Sequence, residues 1–300
     1  MPQIRTSRPD RANWRRYLVR FSKALAGFLG TWLLWYAAVT TKLGQAVDEF
    51  SMDSATHLKD DFRGFDESVL WLVSGWTIGV IGVFVAVVAL WRRRWLLGVR
   101  AGLEIGLTIG SVQLLKHFIF YRPALSITYA LKNSLPSGHT AAAAAVAVAL
   151  VMVVNRSWRS TAALVGTLWV SLVGIATVVN GWHRLADVLA AIMIAGAWGM
   201  LLSPLEDTDA NRRSNFDQKL QMVLGWVGWI LALVGLLAMS YVLWEINSFL
   251  PLAGDKNLVH AIEYLAQGCN HARFVAQIGI AASVGGLTTL VLRAIDKLVR

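Results

Sequence analysis

The chain has 300 residues, of which 56% are hydrophobic and only 15% charged, with 14 Trp and a mean hydropathy of +0.54. A soluble domain of this length carries more charge, so the composition excludes an ordinary water-soluble fold. The formal charge of +10 is split among many short loops, which argues against nucleic acid and for contact with anionic lipid.

In chain order, a basic stretch at 1–23 precedes the first of eight apolar segments. These run roughly over 24–41, 69–91, 96–119, 139–154, 161–180, 185–203, 220–243 and 273–292. Several approach the roughly 20 residues that cross a bilayer. The first reads as a retained signal anchor, because no small-residue cleavage site follows it. The fold class expected is all-α, a polytopic membrane helix bundle. Its domains are a basic tail (1–23), a six-helix core (24–203), a linker (204–219) and a two-helix C-terminal extension (220–300).

Charge placement orients these segments. The tail, Arg92 to Arg94 with Arg100, Arg156 with Arg159, Arg212 with Arg213 and Lys219, and the C-terminal Arg293, Lys297 and Arg300 alternate onto one side. That side holds most of the 28 basic residues and is expected to be cytoplasmic, with both termini. The opposite side receives an acidic 48–67 loop (Asp48, Glu49 and Asp53 among its residues) and the stretches 120–138 and 180–184. Gly102, Gly106 and Gly110 on the third segment, and Ala141 to Ala145 on the fourth, read as small faces for close helix packing. Glu104, one turn after Arg100, reads as interfacial or bundle-facing. The single cysteine, Cys269, excludes an intrachain disulfide, and no His, Cys and carboxylate set has zinc-ligand spacing. No metal or cofactor is therefore expected.

Three polar clusters fall on the extracytoplasmic side, each at a helix end: "KHFIFYRP" (Lys116 to Pro123), "PSGHT" (Pro136 to Thr140) and "NGWHRLAD" (Asn180 to Asp187). Ser137 is a good helix cap, and a helix start exposes N–H groups and a positive dipole end that suit phosphate. His139 lies in that first turn, where its own charge is disfavoured unless something anionic compensates. His183 and Asp187, four apart, share a helical face, so the carboxylate can fix one ring nitrogen and leave the other as nucleophile or base. Lys116 and Arg122 add cations, although each also fits an interfacial, snorkelling role. Together these groups describe phosphoryl transfer.

Residues 65–203 resemble the type 2 phosphatidic acid phosphatase family, the membrane relatives of the vanadium haloperoxidases. That family carries K-x6-R-P, P-S-G-H and S-R-x5-H-x3-D in this order. Pro136 to His139 match the second motif in full, and His183 with Asp187 match the latter half of the third. The resemblance implies that His183 forms a phosphohistidine, Asp187 orients it, and His139 protonates the leaving group and then activates water. It implies Lys116, Arg122, Ser137 and Gly138 as phosphate ligands, a lipid phosphate or diphosphate as substrate, and no metal. Two departures stand out. Lys116 and Arg122 have five intervening residues, not six. Ala176 and Thr177 stand where Ser and Arg are expected, and loss of that cation removes on the order of 3 kcal/mol of transition-state stabilisation. Arg184 is then either a substitute ligand or a headgroup contact. A non-catalytic phospholipid-binding or lipid-moving relative is the alternative function.

Overall fold

The computed structural model describes residues 11–61, 79–80, 82–84, 87, 95–128, 132–204, 213–253 and 258–299. These residues form helices and connecting turns with no strand among them. The elements are α1 (Arg11–Leu34), which runs on through a π-helical turn (Trp35–Val39), then α2 (Lys42–Thr56), α3 (Leu58–Asp61) and α4 (Trp95–Leu114). A second π turn (Leu115–Ile119) ends α4. Next come α5 (Gly138–Val153), α6 (Arg159–Val179), α7 (Leu185–Leu202), α8 (Asn215–Ala253), α9 (Leu258–Gly268) and α10 (Asn270–Leu298).

Among the described residues, five helical stretches are long and apolar enough to cross a membrane: Trp95–Ile119, Arg156–Val179, Leu185–Leu202, Asn215–Pro251 and Asn270–Leu298. They correspond to the third, fifth, sixth, seventh and eighth segments of the sequence. The first segment ends in an elbow, where Trp14–Val39 turns by 90° into Lys42–Thr56. Most of the expected segment at 69–91, and Arg92 to Arg94, lie outside the described residues.

Three expectations change. The expected fourth span, α5, has only 16 residues, about 24 Å at 1.5 Å per residue. It sits at the centre of the bundle, packed by α4, α6, α7 and α10. Its alanines serve that position: Ala143, Ala145, Ala149 and Val148 are wholly buried. The acidic 48–67 loop is in its first part the helix α2. Thr41 caps it, its hydroxyl accepting from Gly44 N at 3.0 Å, and Ala46, Phe50 and Ser54 form its buried face. Likewise the seventh segment, expected to end near residue 243, runs on as α8 to Ala253, and the further helix α9 follows it.

Gly102, Gly106 and Gly110 have no described atom within 4 Å of where a Cβ would stand, so this face is open among the described residues. Close backbone approach occurs between α8 and α10 instead. A Cβ on Gly286 would lie 2.5 Å from Ala232 N, a main-chain atom that cannot swing aside. Gly286→Val is expected to lower stability by about 1–3 kcal/mol, as overpacking does, read as a fall in thermal midpoint in detergent. Since α10 also packs on α5, α6 and α7, the final helices belong to the same bundle.

The end of the bundle that holds Arg159 and Ser203 is tied by buried polar contacts. Arg20 donates to the carbonyls of Ser203, Pro204 and Leu298. Arg159 donates to Val299 O at 2.8 Å, and Ser160 N to Asp217 Oδ1 at 2.9 Å. Arg213 pairs with Asp296. Glu104 is fully buried and accepts from Thr108 Oγ1 at 3.0 Å, so it faces the bundle.

Candidate active site

The opposite end gathers the three polar clusters. After α6 the chain reverses through Gly181, whose φ of +69° is a conformation that glycine takes without steric cost. Thr177 O accepts from Trp182 N at 3.0 Å and His183 N at 3.1 Å, which fixes where the imidazole leaves the turn. Arg184 is the N-cap of α7. Its N–H donates to Asp187 Oδ2 at 3.0 Å, and the same oxygen lies 3.1 Å from His183 Nδ1. Ser134 is a further hydrogen-bond partner of Asp187. A carboxylate against Nδ1 places the ring proton there and leaves Nε2 with a lone pair.

The start of α5 adjoins this turn. Ser137 N donates to Asp187 O at 2.9 Å, so the first turns of α5 and α7 are joined main chain to main chain. Leu135–Pro136 is cis. The Ser137 hydroxyl caps α5 by accepting from Thr140 N at 3.4 Å. The Ser137 hydroxyl acts there as acceptor, and its own O–H is not used by the cap. The first-turn N–H groups without an intrahelical acceptor are those of Gly138 and His139. His139 is exposed, its ring 5.7 Å from that of Trp182. The charged groups acting on it are His183 and Lys116. Lys116 itself lies in the π turn that ends α4, where the shortened spacing to Arg122 falls.

Beside Asp187 lies a second cluster that the sequence did not reveal. Glu49, from α2, accepts from Arg184 Nε at 2.7 Å and contacts Arg184 Nη2 at 2.6 Å. Arg184 also donates to Ser134 Oγ and Thr128 Oγ1, both at 3.3 Å. All three nitrogens of its guanidinium are therefore engaged, and 3% of the residue is exposed. Burial opposes its charge, yet Glu49, Asp48 and Asp187 together hold its pKa above the ordinary arginine value. Arg122 differs. Its Nη2 is 3.9 Å from Glu49 Oε2, too far for a hydrogen bond, and its buried Nε and Nη2 have no hydrogen-bond partner among the described residues. Burial and the neighbouring Arg184 cation lower the Arg122 pKa, against Asp48, Glu49 and Asp187. These two donors point to an anion as the missing acceptor.

The constellation thus has a histidine poised by a carboxylate, a second histidine at a helix start, a lysine near it and an arginine with idle donors. No group of three or more His, Cys, Asp or Glu among the described residues is arranged to hold a metal. Residues 113–209 match the PAP2 superfamily. No curated protein and no solved structure gives a match. The PAP2 segment begins near the end of α4, contains α5, α6 and α7, and stops short of α8. The superfamily generally hydrolyses phosphate esters, and the match is consistent with the type 2 phosphatidic acid phosphatases. The α1–α2 elbow, with Asp48 and Glu49, lies outside the PAP2 segment, as do α8, α9 and α10.

Within the PAP2 segment, the Ser–Arg pair expected before His183 is Ala176 and Thr177, both buried. Thr177 Oγ1 donates to Gly174 O at 2.8 Å in its own helix and is thereby satisfied. The functional part of Thr177 is its carbonyl, which any residue supplies. Thr177→Val is therefore expected to cost no more than about 1 kcal/mol and to leave the pairing of His183 with Asp187 intact, as read by thermal unfolding and the imidazole NMR signal. The signals for the α2 contribution were a capping Thr41 and apolar residues at helical spacing, Leu43, Ala46, Val47 and Phe50. No local pattern names the arginine that a carboxylate meets 135 positions away.

Proposed function

We propose that the chain is an integral-membrane phosphatase of lipid phosphates or diphosphates, working without a metal through a phosphohistidine. The observation that carries the reading is His183 Nδ1 held 3.1 Å from Asp187 within the PAP2 segment. Nε2 of His183 attacks the terminal phosphorus as its P–O bond to the lipid oxygen of a monophosphate, or to the inner phosphate of a diphosphate, breaks, and His139 gives a proton to that departing oxygen. His139 then takes a proton from water, whose oxygen attacks phosphorus and releases inorganic phosphate from His183. Asp187 stabilises the cationic ring. Arg122, Lys116 and the Gly138 and His139 amides hold the phosphoryl oxygens. The site faces the extracytoplasmic side of a bacterial-type plasma membrane, with both termini cytoplasmic, and lipid tails stay in the bilayer during turnover.

The test is inorganic phosphate release by the purified full chain, in EDTA, from phosphatidate, lysophosphatidate and an isoprenoid diphosphate. Release from at least one is expected. Release from none overturns the reading, and release abolished only by EDTA overturns its metal independence. The engagement of Arg184 by Glu49, with Thr177 in place of an arginine, favours a second reading, a relative that binds phospholipid without turning it over. Saturable binding of a lipid phosphate with no release identifies it.

A further inference from the structure

A cavity of about 640 Å³ lies between the α1–α2 elbow, α7, α8 and α10. Its walls are almost wholly apolar, with Leu189 and Met193 of α7, Met239 of α8 and Leu287 of α10 among them. That volume is typical of a pocket for one small ligand. Its rim includes Tyr36 and Leu236, which are 61% and 65% exposed on the flank of the bundle, so the cavity opens sideways where the bilayer lies.

The cavity also has a polar end. Asp48 lines it, with one carboxyl oxygen accepting from Ala186 N at 3.1 Å and the other buried without a hydrogen-bond partner among the described residues. Ala186 adjoins Asp187, which holds His183. Asp48 interacts electrostatically with Asp187, Arg184 and Arg122. One end is therefore lined by Asp48 and Ala186, next to Asp187 in the chain, and the other opens towards hydrocarbon.

We propose that this cavity holds the hydrocarbon tail of the lipid whose phosphate lies at His183, so that α8 and α10 form a tail site beside the PAP2 segment. The proposal rests on the lipid-phosphate reading of that site. Moving a tail from lipid to an apolar cavity gains little from the hydrophobic effect, because both surroundings are apolar. What the cavity supplies is close packing and a fixed direction for the chain leaving the phosphate.

The experiment uses the full chain in lipid nanodiscs with a lipid phosphate bearing a photoreactive diazirine on its tail. Labelling is expected on cavity residues of α8 and α10, with displacement by unlabelled lipid phosphate but not by a neutral lipid of the same tail. Labelling confined to other helices, or equal displacement by the neutral lipid, overturns the proposal. His183→Ala is expected to keep the label while losing phosphate release, so a failure of catalysis and a failure of the tail site read out separately. In an active preparation, Met239→Trp is expected to raise KM for a long-chain lipid phosphate about tenfold relative to a dihexanoyl analogue. An equal change for both chain lengths in correctly folded protein also overturns it.

Discussion

His183→Ala is expected to lower phosphate release by at least about 10³-fold, because the nucleophile is the one group that no neighbour can replace. The same variant forms no phosphoenzyme when mixed with radiolabelled substrate and quenched. His139→Ala behaves differently. It is expected still to form the proposed phosphohistidine, but slowly, and to clear it slowly, because in the proposed mechanism the same imidazole serves as acid in one half-reaction and base in the other. Asp187→Asn keeps the side-chain shape yet removes the charge that stabilises the imidazolium, and a loss of roughly 10²-fold or more is expected. An acid-labile phosphoenzyme retained in His183→Ala would place the covalent step on another residue and sink the assignment.

Glu49→Ala is expected to be the most destabilising single change near the site. It leaves Arg184, 3% exposed, without its carboxylate and removes the nearest counter-charge from Arg122. Breaking a buried pair from one side costs about 3–5 kcal/mol, because the remaining charge stays buried. The measurement is thermal or denaturant unfolding in detergent. Glu49→Gln, which keeps an acceptor oxygen for Arg184 Nε, is expected to lose less. Adding Arg184→Ala to Glu49→Ala is expected to recover part of the loss, since the stranded cation goes with it. A midpoint within a degree or two of wild type for Glu49→Ala contradicts a buried role for the pair.

These two sites differ in how far the sequence disclosed them. His183 and Asp187 stand four apart across the start of α7, His183 in the turn before the Arg184 cap rather than on the expected helical face, and Ser137 is a recognisable cap, so a local pattern carried most of that geometry. The long apolar runs likewise disclosed α6, α7, α8 and α10. The elbow helix α2 was hidden because its acidic residues resemble a solvated loop. Its apolar face covers barely three turns, too little for a membrane signal. Arg184 shows a second kind of limit. Its adjacency to His183 left it as a substitute phosphate ligand or a headgroup contact, but its partners Glu49, Thr128 and Ser134 come from remote segments that only the tertiary fold assembles. Lone glycines are equally ambiguous: the Gly102 face is open among the described residues, while Gly286 meets a neighbouring backbone.

The hydrogen bond from Ser137 N to Asp187 O has a consequence for how the proposed chemistry is gated. The helix start that would cradle phosphate and the helix start that aims the nucleophile are one stapled unit. Two such halves cannot open and shut around a substrate like a jaw. Under the proposed function the reacting geometry is then set before a lipid arrives, and discrimination among lipids falls to the route by which the headgroup enters and the tail is accommodated.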